Sequence, residues 1–455
     1  MIDLSPKEKN LYFTIFEYIL WLIAITIFSL AIFNIISRPD VFDHMFFQNW
    51  QLDLFIFTLA FSCLHFLFLF ISTLFYRKYK DVFDDNTLPT CTVLVPAYNE
   101  GKHVYDTILS ILDSTYPKEK LKIITINDGS YDDTIKYLLL AAKQSSQVNV
   151  INLETNQGKK HALYLGMKRA QSEFIATVDS DSIVEKNTLR NLVQPFVDSR
   201  VGAVAGTITG KRQSTNTHVC ILDVMLIFGC EFLRKAQSVT GNVFCTPGAL
   251  SCYRKSAIMP IIEQWLEQKF LGVDAKIGED RAIATLLLQN GYWIVHQDCA
   301  KAETCLPESY WGVCKMLLRW TRSDIRENIL MMPFVLKALQ QYSLRYIFLF
   351  VHWISLFINM LLPLVFIPLG IYSLIKTNYL IEQLSFLCLS SFVWSIIPAV
   401  VCYKEKKSLR KTIWAFCFGF YSLIGLSWIS IYALITIKNS KWLTRERTIK
   451  HSSTI

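Results

Sequence analysis

The stretch CTVLVPAYNE, residues 91–100, decides how the fold is read. Seven mostly apolar residues stop abruptly at Tyr98, Asn99 and Glu100. A run this short, rich in β-branched residues and closed by polar ones, predicts a strand rather than a helix. The pattern returns downstream. LKIITIN (121–127), VNVINL (148–153), EFIATVD (173–179) and VGAVAGTIT (201–209) are further strand candidates. Helical stretches lie between them, near 103–114, 131–144, 158–171 and 187–198. Such alternation predicts a mostly parallel sheet covered by helices. In sheets of that kind ligands bind beyond the carboxyl ends of the strands.

Those ends are polar. The second strand runs into Asp128, Gly129 and Ser130, and the third into NQGKKHAL (156–163), where Gly158 and Lys159 open a helix. The fourth ends in Asp179, Ser180 and Asp181. Singly, each has an ordinary explanation: NDGS is a common turn, and a D-S-D turn caps helices. Polar clusters at successive strand ends argue instead for a site. Asp179 and Asp181 can converge on one hard cation. Magnesium or manganese prefers oxygen ligands and often bridges to phosphates. Lys159, near a helix N-terminus, can support the same phosphates. In GEDR (278–281), Glu279 and Asp280 either favour the dipole of the following helix or supply a general base. In KMLLRWTRSDIRENI (315–329), Arg319, Arg322 and Arg326 fall at helical spacing beside Trp311 and Trp320. That is an amphipathic interfacial helix, or an arginine fork for a diphosphate.

The remainder of the chain differs. Of 455 residues, 52% are hydrophobic and 18% charged, against about 25% charged in soluble domains. This excludes a disordered chain and a simple cytosolic globule. The apolar surplus is gathered at both ends. Residues 11–36 and 54–76 are each long enough to cross a bilayer. So are 344–375, which contains Pro363 and Pro368, 383–403 and 412–437. Basic loops stay in the cytoplasm. RKYK (77–80) therefore places the middle region inside, and KEKKSLRK (404–411) is expected there too. A fifth full span would put the basic tail 438–450 outside, against that rule. One C-terminal segment is then re-entrant or interfacial, or hides an extra crossing. The expected organisation is two N-terminal spans (1–80), an α/β domain (81–300), interfacial helices (301–342), C-terminal spans (343–438) and a cytosolic or gating tail (439–455). The net charge of +9 fits lysines and arginines flanking spans and meeting anionic lipid. No basic patch suggests nucleic acid. The twelve cysteines form no C-x-x-C pair, which argues against a zinc site.

Taken in order, PAYNE (96–100), NDGS (127–130), NQGK (156–159), DSD (179–181), TPG (246–248), GEDR (278–281) and LLRW (317–320) resemble the motifs of processive family-2 membrane glycosyltransferases. That family includes synthases of hyaluronan, chitin and its oligosaccharides, poly-N-acetylglucosamine and cellulose. RWTRSDIREN is most similar to the hyaluronan and chitin-oligosaccharide branch. The resemblance spans about residues 91–330 and implies a GT-A (Rossmann-like) cytosolic domain between transmembrane helices. It also implies a UDP-sugar donor, a growing glycan or lipid acceptor, inversion at the anomeric carbon, Mg2+ or Mn2+, and a multi-pass place in the cell membrane. Accessory subunits and homo-oligomers stay open.

Carried over by position, Tyr98, Glu100 and Asp128 would hold uracil and ribose. Lys159, Asp179 and Arg319 would meet the diphosphate, with Asp181, beside Asp179, ligating the metal. Asp280 would be the general base. Thr246, Pro247 and Gly248 would line the acceptor site, and Trp320 would stack on the acceptor sugar. WLTR (442–445) looks like the gating segment, with Trp442, Thr444 and Arg445. Two positions depart from the family pattern. Met316 replaces the glutamine of Q-x-x-R-W, and a thioether cannot make the amide's hydrogen bonds. The base motif reads G-E-D, which keeps its final aspartate. Met316 leaves room for single-sugar transfer to a lipid. A transporter or scaffold with a degenerate domain is a further alternative, opposed by the intact Asp179, Asp181 and Asp280.

Overall fold

The computed structural model describes residues 49–80, 82–210, 216–376 and 380–440, with five positions between 26 and 37. The expected first span lies almost wholly outside the described residues, as do Trp442, Thr444 and Arg445.

Eight strands form one sheet. They are β1 (Cys91–Ala97), β2 (Leu121–Asp128), β3 (Val148–Leu153), β4 (Phe174–Thr177), β5 (Ile183–Val184), β6 (Val201–Gly210), β7 (Ser251–Arg254) and, after a small hairpin of β8 (Lys269–Phe270) and β9 (Val273–Asp274), β10 (Trp293–Thr304). Their order is β3-β2-β1-β4-β7-β6-β10-β5. The four strands β3, β2, β1 and β4 are parallel. β7 then runs antiparallel to both β4 and β6. The sheet is therefore mostly parallel, as expected, with β7 and the edge strand β5 running against the other six. Inserting β7 reverses the local direction, so the segments around it reach the site from the opposite side.

Every residue of β1 is buried, as expected for a strand covered on both faces. The helix α1 (Asn49–Leu74) precedes the sheet and packs outside its two layers. Then come α2 (His103–Leu112), α3 (Thr134–Gln144), α4 (Lys159–Arg169) and α5 (Thr188–Val193). One apolar layer packs Val93, Val95 and Ile123 against Ile108 and Leu138. The other packs Leu94 and Ile126 against Leu163 and Met167.

Helix α6 (Thr217–Leu226) passes through a π-helical turn (Ile227–Phe232) into α7 (Leu233–Ser238). Later come α8 (Glu279–Gln289), the 30-residue α9 (Tyr310–Leu339), α10 (Leu344–Lys376), α11 (Leu380–Lys406), α12 (Leu409–Phe420), a second π-helical turn (Tyr421–Leu426) and α13 (Trp428–Ile435). The second apolar layer continues into Met331 and Val335 of α9 and Leu349 and Trp353 of α10. The α/β domain and the C-terminal helices thus share one core.

Among the described residues, Phe57–Leu74, Leu344–Tyr372 and Gln383–Lys406 are long and apolar enough to cross a membrane. Less than a third of each stretch is buried, so their outer faces need an apolar medium. The α10 helix runs unbroken through Pro363 and Pro368. The irregular segment is the last one, where Leu409–Leu426 and Trp428–Ile435 meet at 45°.

The basic loop is fastened to the α6–α7 rod. Lys411 pairs with Asp223 at 2.6 Å, Lys406 with Glu231 at 2.7 Å and Glu405 with Lys235 at 2.6 Å.

Candidate active site

Four strand ends converge because their turns are tied together. The Asn99 N–H donates to Ser130 Oγ at 3.0 Å, and the Tyr131 N–H donates to Asn99 Oδ1 at 3.0 Å. The Glu100 N–H donates to Thr134 Oγ1 at 2.8 Å. These bonds lock the PAYNE turn to the NDGS turn. Gly129, with φ +67°, allows the loop after β3 to approach, since a Cβ there would strike the backbone of Thr155 and Asn156. Asp128 accepts from the N–H groups of Gln157 and Gly158 at 2.8 and 2.9 Å. Its carboxylate thus sets the start of α4 and aims Lys159.

Lys159 is the hub. Its Nζ lies 2.5 Å from Asp179 and 3.1 Å from Glu279. Burial opposes its charge, but the two carboxylates outweigh burial and hold its pKa above the ordinary lysine value. Burial likewise works against the charge of Glu279, yet Lys159 and Arg319 pull its pKa below the usual glutamate value. Asp280 behaves oppositely. Burial, then repulsion from Glu279, push it above the usual aspartate value. Adjacent carboxylates have been driven apart, one fixed as an anion and one primed to take a proton.

The backbone around Asp280 is firmly held. Gly278 adopts φ +71° at the start of α8, where a Cβ would overlap the Ser323 side chain. The Arg326 guanidinium donates to the Ile277 carbonyl at 2.6 Å, and Trp265 Nε1 donates to the Glu279 carbonyl at 2.9 Å. Cys245 Sγ lies 3.6 Å from Asp280 Oδ2, and the Arg281 N–H donates to Oδ1 at 2.9 Å. Asp181 accepts a 3.3 Å hydrogen bond from Thr304 Oγ1 of β10.

These groups face one cavity of about 900 Å3. Glu100, Lys159, Asp179, Asp181, Pro247, Gly248, Asp280, Arg319 and Trp320 all line it. Tyr98, Asp128 and Thr246 do not line it. Tyr98 meets Tyr131 edge-on with ring centroids 6.2 Å apart. Thr246 is buried, donates to the Asp280 carbonyl at 3.0 Å and accepts from the Tyr253 hydroxyl. Met316 lines the cavity and packs with Leu222 and Val313, Trp320 lying against the same cluster. Of the three arginines on α9, only Arg319 lines the cavity. Arg322 donates to Thr436 and Arg326 to the Ile277 carbonyl.

Sequence reasoning had not assigned roles to Asn99, Arg234, Cys245, Arg281 or Asp324, which also line the cavity. Of these, Asp324 had a readable signal, its spacing of four from Trp320. Arg234 stands on the short α7, just past the π-helical turn, and Cys245 in the segment before β7, neither of which carries a readable period.

Two carboxylates at one strand end suit a divalent ion. No cluster of three potential ligand side chains occurs among the described residues. An ion held by two carboxylates would take its remaining ligands from phosphate oxygens and water. Asp179 is clamped by Lys159, so Asp181 is the better-placed ligand.

Comparison with known proteins agrees with this geometry. Residues 92–261 match the model of the family Glycosyl transferase family 2. The chain is 29% identical over 372 residues to a hyaluronan synthase of Streptococcus pyogenes, covering 78% of this chain and 83% of that one. It is 28% identical over 361 residues to an N-acetylglucosaminyltransferase of Azorhizobium caulinodans, covering 79% and 88%. Among solved structures, a mannosyltransferase from Pyrobaculum calidifontis, in complex with GDP-Man and Mn2+, superposes with a TM-score of 0.50 at 16% identity. It covers 81% of this chain and 97% of that one. The fold is GT-A, with apolar helices on both flanks.

Proposed function

We propose that the family-2 glycosyltransferase domain of this chain builds a β-linked polysaccharide of the hyaluronan, chitin or poly-N-acetylglucosamine kind from UDP-sugars, and passes it across the adjoining membrane. One observation carries the second half of this reading. The cavity that holds Asp179, Asp181 and Asp280 continues past Trp320 to Leu356, Asn359 and Met360 of α10 and Ser430 of α13. A product leaving the acceptor position would enter a path between apolar helices. An enzyme that moves one sugar to a lipid has no need of such a path.

The chain's own groups divide the reaction. Lys159 and Arg319 face the donor diphosphate, and Glu279 holds the Lys159 ammonium in place. Asp179 and Asp181 would hold a divalent ion. When bound, that ion supplies further positive charge to the leaving diphosphate. Trp320 offers a flat apolar face to the acceptor sugar. Asp280 takes the proton of the acceptor hydroxyl as that oxygen attacks the anomeric carbon from the side opposite the leaving group. The new C–O bond forms as the bond to the diphosphate breaks, UDP departs, and the anomeric configuration inverts. The pKa of Asp280, raised above the usual aspartate value by burial and by Glu279, suits a general base.

Purified protein in detergent, given manganese with UDP-N-acetylglucosamine, UDP-glucose or UDP-glucuronate, should release UDP and yield a polymer. No release from any donor would overturn the reading. A single-sugar glycolipid as sole product would favour the lipid-acceptor alternative.

A further inference from the structure

Arg234 is used by no step above. It stands on α7, just past the π-helical turn, and lines the cavity although it is only 7% exposed. The Cys245 thiol meets its guanidinium, and Cys230 and Asp280 lie near enough to act on its charge. Burial pushes both thiols up from their ordinary values, so neither is an anion near neutrality. Asp324, which also feels the Arg234 charge, pairs with Arg281 instead at 3.4 Å. Among the described residues no carboxylate pairs with Arg234, and its Nη1 has no hydrogen-bond partner. The neighbouring arginines are committed. Arg281 donates to the Phe244 carbonyl and to Asn328, and Arg326 to the Ile277 carbonyl and to Glu327. A buried cation without a partner is costly. A guanidinium left so on a cavity wall calls for an oxygen from outside the chain.

The segment that carries it is nevertheless held in place. On one side Lys235 pairs with Glu405 at 2.6 Å. On the other, the Phe244 N–H donates to Gln237 Oε1 at 3.4 Å and the Asn242 N–H to the Gln237 carbonyl at 3.0 Å. So α7 is pinned both to the basic loop and to the segment before β7. Within the π-helical turn the wall is open. Gly229 lines the cavity, and a Cβ added there would meet nothing within 4 Å. There is room for a ligand beside a donor fixed in advance. Such turns often mark functional places in helices.

The position of Arg234 indicates which ligand. Cys245 Sγ lies 3.6 Å from Asp280 Oδ2, so one thiol separates the guanidinium from the base. The donor diphosphate has cations of its own in Lys159 and Arg319. A sugar whose hydroxyl meets Asp280 carries further oxygens on the adjoining carbons. A guanidinium only donates, and those oxygens accept.

We infer that Arg234 binds the acceptor sugar: its guanidinium donates to an oxygen beside the attacking hydroxyl and so holds that hydroxyl against Asp280. This rests on the reading of Asp280 as the base of glycosyl transfer and adds a residue to that reading.

Affinity tests the inference without turnover. Full-length protein in detergent is titrated with chitotetraose and with cellotetraose, and separately with UDP. The wild type should bind one of these sugars. Arg234→Gln should weaken that binding roughly tenfold to a hundredfold, as loss of a hydrogen bond to a charged group does, while UDP binds as before. Arg234→Lys keeps a cation but not the fork and should recover part of the loss. It also serves as the second variant should the first fold poorly. Unchanged sugar affinity in a folded variant overturns the assignment, as does failure of the wild type to bind either sugar. Equal weakening of UDP binding overturns it too, since Arg234 would then serve the donor side or the fold. If the acid limb of kcat/KM against pH moves while sugar affinity stays, Arg234 only tunes Asp280 and the inference fails. Absence of UDP release from every donor overturns the glycosyl-transfer reading instead, and a weakened sugar affinity would still place Arg234 in a sugar site.

Discussion

Glu279 and Asp280 are neighbours in the chain whose pKa values move in opposite directions. The cavity edge gives Glu279 a lysine and gives Asp280 the repulsion of Glu279. Raising the pKa of Asp280 has a signed consequence. Its charged form is disfavoured in the folded state, so ionising it near neutrality costs stability, and stability is regained as pH falls through the folded value. Asp280→Asn should therefore cut sugar transfer by about 10²–10⁴-fold, while the midpoint of thermal unfolding stays level or rises. A marked fall in that midpoint would show that the charge supports the fold instead. In the wild type, the acid limb of kcat/KM against pH should lie above the ordinary aspartate range of about 3.9. At this scale the sequence was readable where chemistry concentrates in short motifs. Asp179, Asp181 and Asp280 line one cavity, as their order along the chain implied. Asp128 was harder, because a carboxylate that braces backbone N–H groups and one that binds a nucleotide look alike in a string of letters.

Elements position these residues by a few tight contacts. The α8 start depends on Gly278, which is left-handed and pressed against Ser323 of α9. Gly278→Ala should destabilise by about 1–2 kcal/mol from conformation alone, and the overlap would move Glu279 and Asp280 with it. Thermal unfolding and UDP release should fall together. Retained activity at a lowered midpoint would mean that α8 tolerates the shift. The strands β1 to β4 and β6 were legible as short apolar runs with polar ends. The two reversed strands were not. β7 is four residues long, SCYR, and β5 only two, too short to show a period, and their pairings alone reveal the antiparallel strands. β10 was equally hidden, since its twelve residues include His296, Asp298 and Lys301. Tertiary pairing, not local preference, makes it a strand.

For the whole molecule, the apolar layer of the catalytic domain extends into α9 and α10. The α/β domain and the apolar C-terminal helices are thus one packed body, not two domains on a tether. In sealed vesicles with the active site facing out, polymer made from external donor should become resistant to an added glycan hydrolase. Full digestion by that enzyme would show that the product is released on the synthetic side. The number of crossings was the least legible feature. Hydropathy marks length, but only the 45° bend after Leu426 shows that the last apolar stretch is not a straight rod.

The loop at 404–411 read as a topology signal, and its charges also clasp Asp223, Glu231 and Lys235. The letters that predict orientation thus also make the contacts of assembly. Swapping those lysines to invert the hairpin would also unfasten the rod that carries Arg234. A charge changed in this loop thus acts on the packing of that rod, far from any bond being made.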